Sequence, residues 1–489
     1  MILKNKIITL LSIMALNIPT TGILAQVKTS FTLQDVIPGG DNYFNLIPKR
    51  MSGLKWWGDV CIRTGVEEIV SIDTKNGKEK TIITLDEVNT ALQADEKTKG
   101  IKQLRSLMGA SMPWGEEKEI LLSHDGNIIV YDFEDKAVKS AIKINKGAAN
   151  IDFCKESMTV AYTVGDNLHI ASEKIADKQV NPDINIEKAA CGGNDIHDIV
   201  YGQAVHRNEF GIYKGTFWSP EGKYLAFYRM DQSMVTDYPQ VNTTTRTATL
   251  EPDKYPMAGM TSHKVTVGMY NPESGKTVYL DAGDPTDRYF TNISWAPDEE
   301  NIYVIEVNRD QNYAQLVKYD AETGKKIGVL YEESHPKYVE PQHPLTFLPW
   351  DETKFIYQSQ RDGFNHLYLF DTKKPRPVTL ELIEGMNKYK EYVEVKQLTK
   401  GNWLVQDILG FYEAKKEIII ASTEVSPLQT NIYSLNIKNG KRTLIGKEDG
   451  NHRAQLSAGG TYIIDNMTSF SVAGETSILP TNGKKGVTI

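Results

Sequence analysis

The residues best suited to chemistry gather between Tyr201 and Val235, in YGQAVHRNEFGIYKGTFWSPEGKYLAFYRMDQSMV. A histidine, two arginines, an aspartate and two glutamates stand there beside a run that reads as plain β-strand. His206 has no second histidine or cysteine at ligand spacing, which argues against a metal centre. Glu209 reads as a solvated loop carboxylate or as a partner for Arg207, two positions back. Glu221 belongs to an SPEG turn that recurs as APDE, so its role is turn chemistry. Arg229 and Asp231 fall at a strand end, where a structural ion pair is expected. A second polar cluster, SQRDGFNHLYLF from Ser359 to Phe370, offers Arg361 either as a contact for a bound peptide or as a tie between repeats. Acyl-transfer chemistry of the serine type needs a G-x-S-x-G elbow, and none occurs. LSAGG, from Leu456 to Gly460, lacks the glycine two residues before Ser457 and reads as a turn. No motif for a cofactor or a metal is found.

These residues must be positioned by a repeated element. FWSPEGKYLAFYRMD (217–231) recurs as SWAPDEENIYVIEVNRD (294–310) and as FLPWDETKFIYQSQRDGFNHLYLFD (347–371). Further copies lie at 113–135, 152–172, 410–441 and 455–469, with a faint first copy at 54–83. Each has an apolar anchor, a turn rich in Pro, Asp, Glu, Gly and Lys, and short alternating strands closed by hairpin turns. Such a unit of antiparallel strands cannot bury both faces alone and must stack on its neighbours. Repeated four-stranded units close into a β-propeller, which removes long exposed sheet edges. The reading is all-β, a propeller of eight blades over 46–489, with seven as the alternative because the first copy is faint. Insertions are expected at about 181–214 and at 372–397. The best helix candidate is LDEVNTALQADEKTK, from Leu85 to Lys99.

Composition bounds the function. The net charge of −8 and the lack of a basic patch exclude a nucleic-acid partner. Lys4 and Lys6 precede an apolar stretch from Ile7 to Ile18, and TGILAQ offers cleavage after Ala25, so residues 1–25 read as an export signal. That stretch is too short to span a bilayer comfortably, and no later run has transmembrane length. Export to the periplasm or cell surface of a bacterium is therefore expected. Cys61, Cys154 and Cys191 match no metal or redox spacing and read as buried small hydrophobes, although any pair could bridge in an oxidising compartment.

Several long motifs now carry a resemblance. FTLQDVIPGGDNYFNLIP, FWSPEGKYLAFYRMD, YPMAGMTSHKVTVGMYNPESGKTVYL, SWAPDEENIYVIEVNRDQN and SQRDGFNHLYLFD resemble the propeller of the dipeptidyl peptidase IV / prolyl oligopeptidase family of serine peptidases. VHRNEFGIYKGTFWSP with YPMAG is most similar to the bacterial prolyl tripeptidyl peptidases. The resemblance implies a propeller that gates substrate to an α/β-hydrolase domain carrying a Ser–Asp–His triad. This chain ends at GKKGVTI, about where that domain would begin, so no catalytic residue and no activity of the chain alone are expected. It also implies that a glutamate of a propeller insertion grips the free α-amine of a substrate, which makes Glu209 the candidate amine anchor, with Arg207 and Arg361 as candidate substrate or inter-blade contacts. The dipeptidyl members carry two adjacent glutamates there, whereas a single Glu209 favours a longer product. The implied partners are peptides with a free N-terminus and a nearby proline, the hydrolase domain, with residues 26–45 approaching it, and a second copy in a homodimer. The alternatives are a freestanding peptide- or protein-binding propeller and an inactive truncated product.

Overall fold

A computed structural model of the chain describes residues 30–47, 51–181, 198–375 and 388–489. The export-signal segment, Cys191 and the middle of both expected insertions lie outside the described residues. Among the described residues, 30–47 fall in one compact unit and those from 51 onward in a second. In the first, helices Leu33–Val36 and Tyr43–Leu46 are one turn each, and Thr32 and Asp35 form a capping box at the start of the earlier one.

The second unit consists of consecutive antiparallel sheets, one for every repeat read in the sequence. The blades occupy 54–84, 119–143, 149–179, 199–279, 288–334, 346–397, 405–445 and 451–488, the strand Ile199–Tyr201 forming an edge of blade 4. The faint first copy is a full four-stranded blade, which removes the seven-bladed alternative. Blade 2 has three strands, and Ser111 pairs with Leu121 as an isolated bridge at its edge. The helix Leu85–Ala94 links blades 1 and 2, started by a Thr84–Glu87 capping box and buried through Leu85, Val88 and Leu92.

The stacking follows from the period-2 alternation of side chains along a strand. In the second strand of blade 5, Asn301–Asn308, Ile302 and Val304 pack against blade 4, while Tyr303, Ile305 and Val307 pack against blade 6. In blade 2, Ile129 faces blade 1 and Ile128 faces blade 3. Every junction between successive blades carries such an apolar cluster, and the last joins Ile464 and Ile478 of blade 8 to Leu54, Cys61, Val70 and Ile72 of blade 1. Each buried Ile or Val contributes about 1.5–3 kcal/mol relative to exposure. Polar contacts reinforce the closure, with Trp56 Nε1 donating to the Gln455 carbonyl (2.9 Å) and Gly459 N donating to Asp59 Oδ1 (2.9 Å). The ring thus closes between segments about four hundred residues apart in sequence.

The recurrent turn has a tie the sequence does not show. Glu299, from the APDE turn of blade 5, accepts hydrogen bonds from Ser219 Oγ and from the backbone N of Glu221 in the SPEG turn of blade 4. Cys61 and Cys154 are buried free thiols, and burial pushes the Cys61 thiol up to about 12. Two organisational expectations need correction. Much of the expected insertion 372–397 is blade strand, since Val393–Gln397 completes blade 6 and Lys388–Glu391 adds a strand to blade 5. A further insertion, 232–263, leaves blade 4 as an arm of two short hairpin sheets. Its turn-rich text, YPQVNTTTRTATLEPDKYPMAGM, was the available signal. Among the described residues, no helix is long and apolar enough to cross a membrane.

Candidate functional site

Glu209 sits on an irregular turn, His206–Gly211, that enters blade 4. His206, Arg207, Asn208 and Phe210 all have left-handed backbone, with φ of 53°, 53°, 64° and 55°. Each such residue costs on the order of 1 kcal/mol or more, so the surroundings must hold the turn in place. Glu209 itself is extended and its side chain is exposed. Gly211 follows at φ 73°, where a Cβ would stand 2.2 Å from the carbonyl oxygen of Gln342, so only glycine fits.

The holding contacts come from blade 5 and the segment after it. Thr291 Oγ1 donates to the Phe210 carbonyl (3.1 Å), and Tyr289 packs edge-on against both Phe210 and His206. Gln311 Nε2 donates to Glu209 Oε2 (3.1 Å), and its other contact is the Tyr289 hydroxyl at 3.4 Å. The Gln311 carbonyl accepts from Val339 N (2.6 Å), and the Pro341 carbonyl accepts from Asn292 Nδ2 (3.0 Å). Glu209 therefore lies at the hairpin joining the second and third strands of blade 5. Equivalent hairpins of all blades share one face, because each sheet has the same strand direction around the ring.

A cavity of about 460 Å³ opens on the same neighbourhood, lined among others by Glu333, Tyr338, Glu340, Gln342, Ser359 and Asn365. Glu333 is buried, and its Oε2 accepts from the Tyr331 hydroxyl and from Ser359 Oγ, both at 2.8 Å. Burial holds the His343 imidazole at its wall below the ordinary histidine value. The turn thus carries an exposed carboxylate and packs against Gln342, a residue of a recess that also holds the carboxylates Glu333 and Glu340. Such an arrangement can orient a cationic group by charge-assisted hydrogen bonds.

The other expected residues fall differently. Arg207 does not pair with Glu209. Its guanidinium takes Asp253 Oδ2 (3.1 Å from both terminal nitrogens) and the Lys254 carbonyl, and stacks 4.7 Å from the Tyr255 ring, all on the arm. Arg361 is buried between the rings of Tyr331 in blade 5 and Tyr368 in blade 6, at 4.4 and 4.0 Å. That geometry is an inter-blade contact. The expected Arg229–Asp231 ion pair is corrected: Arg229 Nε donates to the Tyr201 hydroxyl (3.2 Å), while Asp231 accepts from Ser233 (2.7 and 3.1 Å). Ser457 is buried within a hairpin turn, where its hydroxyl accepts from Tyr462 N. His206, read as a lone histidine, meets His263 with Nδ1 and Nε2 2.8 Å apart. Fifty-seven residues separate the two, so no ligand-spacing rule could find the pair. Nitrogens in direct contact leave no room for an ion between them. Among the described residues, no group of three metal-ligating side chains occurs.

Fold and site together define the class: a closed eight-bladed propeller whose carboxylate-bearing turn packs against the wall of a recess at Gln342. Residues 116–473 match the model of the dipeptidyl peptidase IV (DPP IV) N-terminal region, and the chain belongs to that family. It is 47% identical to a Bacteroides ovatus protein assigned as a dipeptidyl aminopeptidase IV, whose crystal structure superposes with a TM-score of 0.83 over 94% of this chain and 62% of that one. The crystal structure of Porphyromonas gingivalis dipeptidyl peptidase 4 shares the fold at 20% identity, with a TM-score of 0.70 and the same coverage. Among curated relatives, a protein of Phaeosphaeria nodorum assigned as dipeptidyl-aminopeptidase B is 25% identical over 71% of this chain and 39% of its own length. Its counterpart in Coccidioides posadasii is 24% identical over 82% of this chain and 44% of that protein. The chain therefore spans under half the length of these curated relatives.

Proposed function

We propose that this propeller selects substrate for an exported, proline-specific serine exopeptidase, with Glu209 binding the free α-amine of the peptide. One observation carries the reading: the chain belongs to the DPP IV propeller family, and it presents Glu209 on a strained, multiply tied turn beside a recess of about 460 Å³. A carboxylate held in place by its backbone and by Gln311 measures register from the peptide's end, because only the N-terminal residue carries an α-ammonium group. Exopeptidase specificity then follows from one anion. Hydrolysis is assigned to an α/β-hydrolase domain paired with the propeller in the full enzyme. Export rests on the basic and apolar character of the first residues, Lys4 and Lys6 followed by Ile7 to Ile18. Release of tripeptides rather than dipeptides rests on the single glutamate, whereas the similar proteins named above are assigned as dipeptidyl enzymes.

Isothermal titration of the 489-residue chain with Ala-Ala-Pro-Ala and its N-acetylated form tests the anchor. A charge-assisted hydrogen bond at an exposed site contributes about 1.5 kcal/mol, so the free-amine peptide should bind about tenfold more tightly. Glu209→Gln should abolish that preference. Equal affinity of the wild type for both peptides overturns the assignment.

A further inference from the structure

The anchor turn is gripped from outside the blade by two neighbouring side chains. His206 bonds His263, and Arg207 clamps Asp253, Lys254 and Tyr255. All four partners belong to the arm, residues 232–263, which carries no strand of the blade itself. We propose that this arm positions the amine-binding glutamate, with His206, His263 and Arg207 as the positioning residues. The inference rests on the reading of Glu209 given above.

The geometry supplies a continuous path. His263 directly precedes the strand Lys264–Asn271 of blade 4, so its backbone is fixed by the sheet. Its ring meets His206, which packs 4.7 Å from Tyr289. Tyr289 contacts Phe210 at 5.1 Å, and its hydroxyl accepts from Gln311, the residue that donates to Glu209. The two residues flanking Glu209's backbone, Asn208 and Phe210, are left-handed, so a loosened turn has lower-strain states to relax into. Loss of either grip would let the carboxylate wander while the blade stays folded.

The His–His bond needs one donor and one acceptor, which two neutral rings supply. His206 Nε2 is buried with no hydrogen-bond partner, which favours the tautomer with its proton on Nδ1, donating to His263 Nε2. Burial keeps both rings neutral at neutral pH, His263 falling to about 4 and His206 well below its ordinary value. Glutamine places an amide oxygen close to where histidine places Nε2, so His263→Gln can preserve the bond. Phenylalanine preserves the ring alone.

The test measures the ratio of affinities for free and N-acetylated Ala-Ala-Pro-Ala in the full 489-residue chain, alongside the melting temperature. His263→Phe should cut the ratio about fivefold or more, and His263→Gln should restore at least half of the wild-type ratio. Asp253→Asn, at an exposed position, covers the case in which the buried variant fails to fold, and should cut the ratio about threefold with the melting temperature unchanged. A wild-type ratio that Glu209→Gln abolishes but that His263→Phe and Asp253→Asn leave intact overturns the arm's role and leaves the anchor standing. A wild-type ratio of one removes the anchor, and the arm's role with it.

Discussion

Acidification gives the buried histidine pair a measurable stability signature. His263 is held near 4 first by burial and then by Arg207 and Arg309, against 6.5 for the ordinary imidazole. The folded value is depressed, so the unfolded chain takes up a proton first as pH falls. Stability is therefore complete above pH 6.5 and is lost as pH drops from 6.5 toward 4. From His263 alone the loss is about 2 kcal/mol at pH 5 and approaches about 3 kcal/mol at pH 4, at about 1.4 kcal/mol per pH interval. His206 and His343 shift in the same direction. Carboxylates also titrate in this range, so the measurement is a difference. Urea unfolding followed by tryptophan fluorescence, at pH 7 and pH 5, is compared between wild type and His263→Gln. The variant keeps a hydrogen-bonding amide but cannot titrate, so wild type should lose about 2 kcal/mol more than the variant over that interval. Parallel losses in the two proteins would refute the reasoning and mean that His263 is solvated or already charged.

Two further substitutions probe the turns. Gly211→Ala combines a left-handed φ of 73° with a Cβ 2.2 Å from the Gln342 carbonyl oxygen, so the turn must shift. It should cost about 2–4 kcal/mol by urea unfolding and remove the preference for a free amine in titration. Glu299→Ala leaves the Ser219 hydroxyl and the Glu221 N–H without their shared acceptor between blades 4 and 5, for an expected loss of about 3 kcal/mol. Glu221→Ala is the control; its backbone makes that contact, so the change should stay within about 0.5 kcal/mol.

The blades were legible because their cause is local. Strands such as YLAFYR alternate between two faces, turns such as SPEG and APDE recur at each blade's entry, and every copy in the sequence became a sheet. The helix was legible for the same reason, through its apolar spacing, although it ends at Ala94 rather than at the expected Lys99. Less legible were segments whose state depends on a partner: Val393–Gln397 looks like insertion until blade 6 supplies the strand it pairs with. The arm, 232–263, carries turn residues without apolar alternation, and so offered no strand signal.

What the amino-acid sequence by itself determined is the repeat, the alternation that stacks each blade on two neighbours, and the polar loop that bears Glu209. Period-2 burial and turn chemistry act over a few residues, and those are written in order along the chain. Only the tertiary structure decided the company Glu209 keeps. Gln311 lies 102 positions away, His263 reaches His206 across 57, and Gly211 is packed beneath Gln342. The ring brings blade 5, the arm and the anchor turn together, and it is that convergence, invisible to any local pattern, that pulls Arg207 to the arm and leaves Glu209 to Gln311.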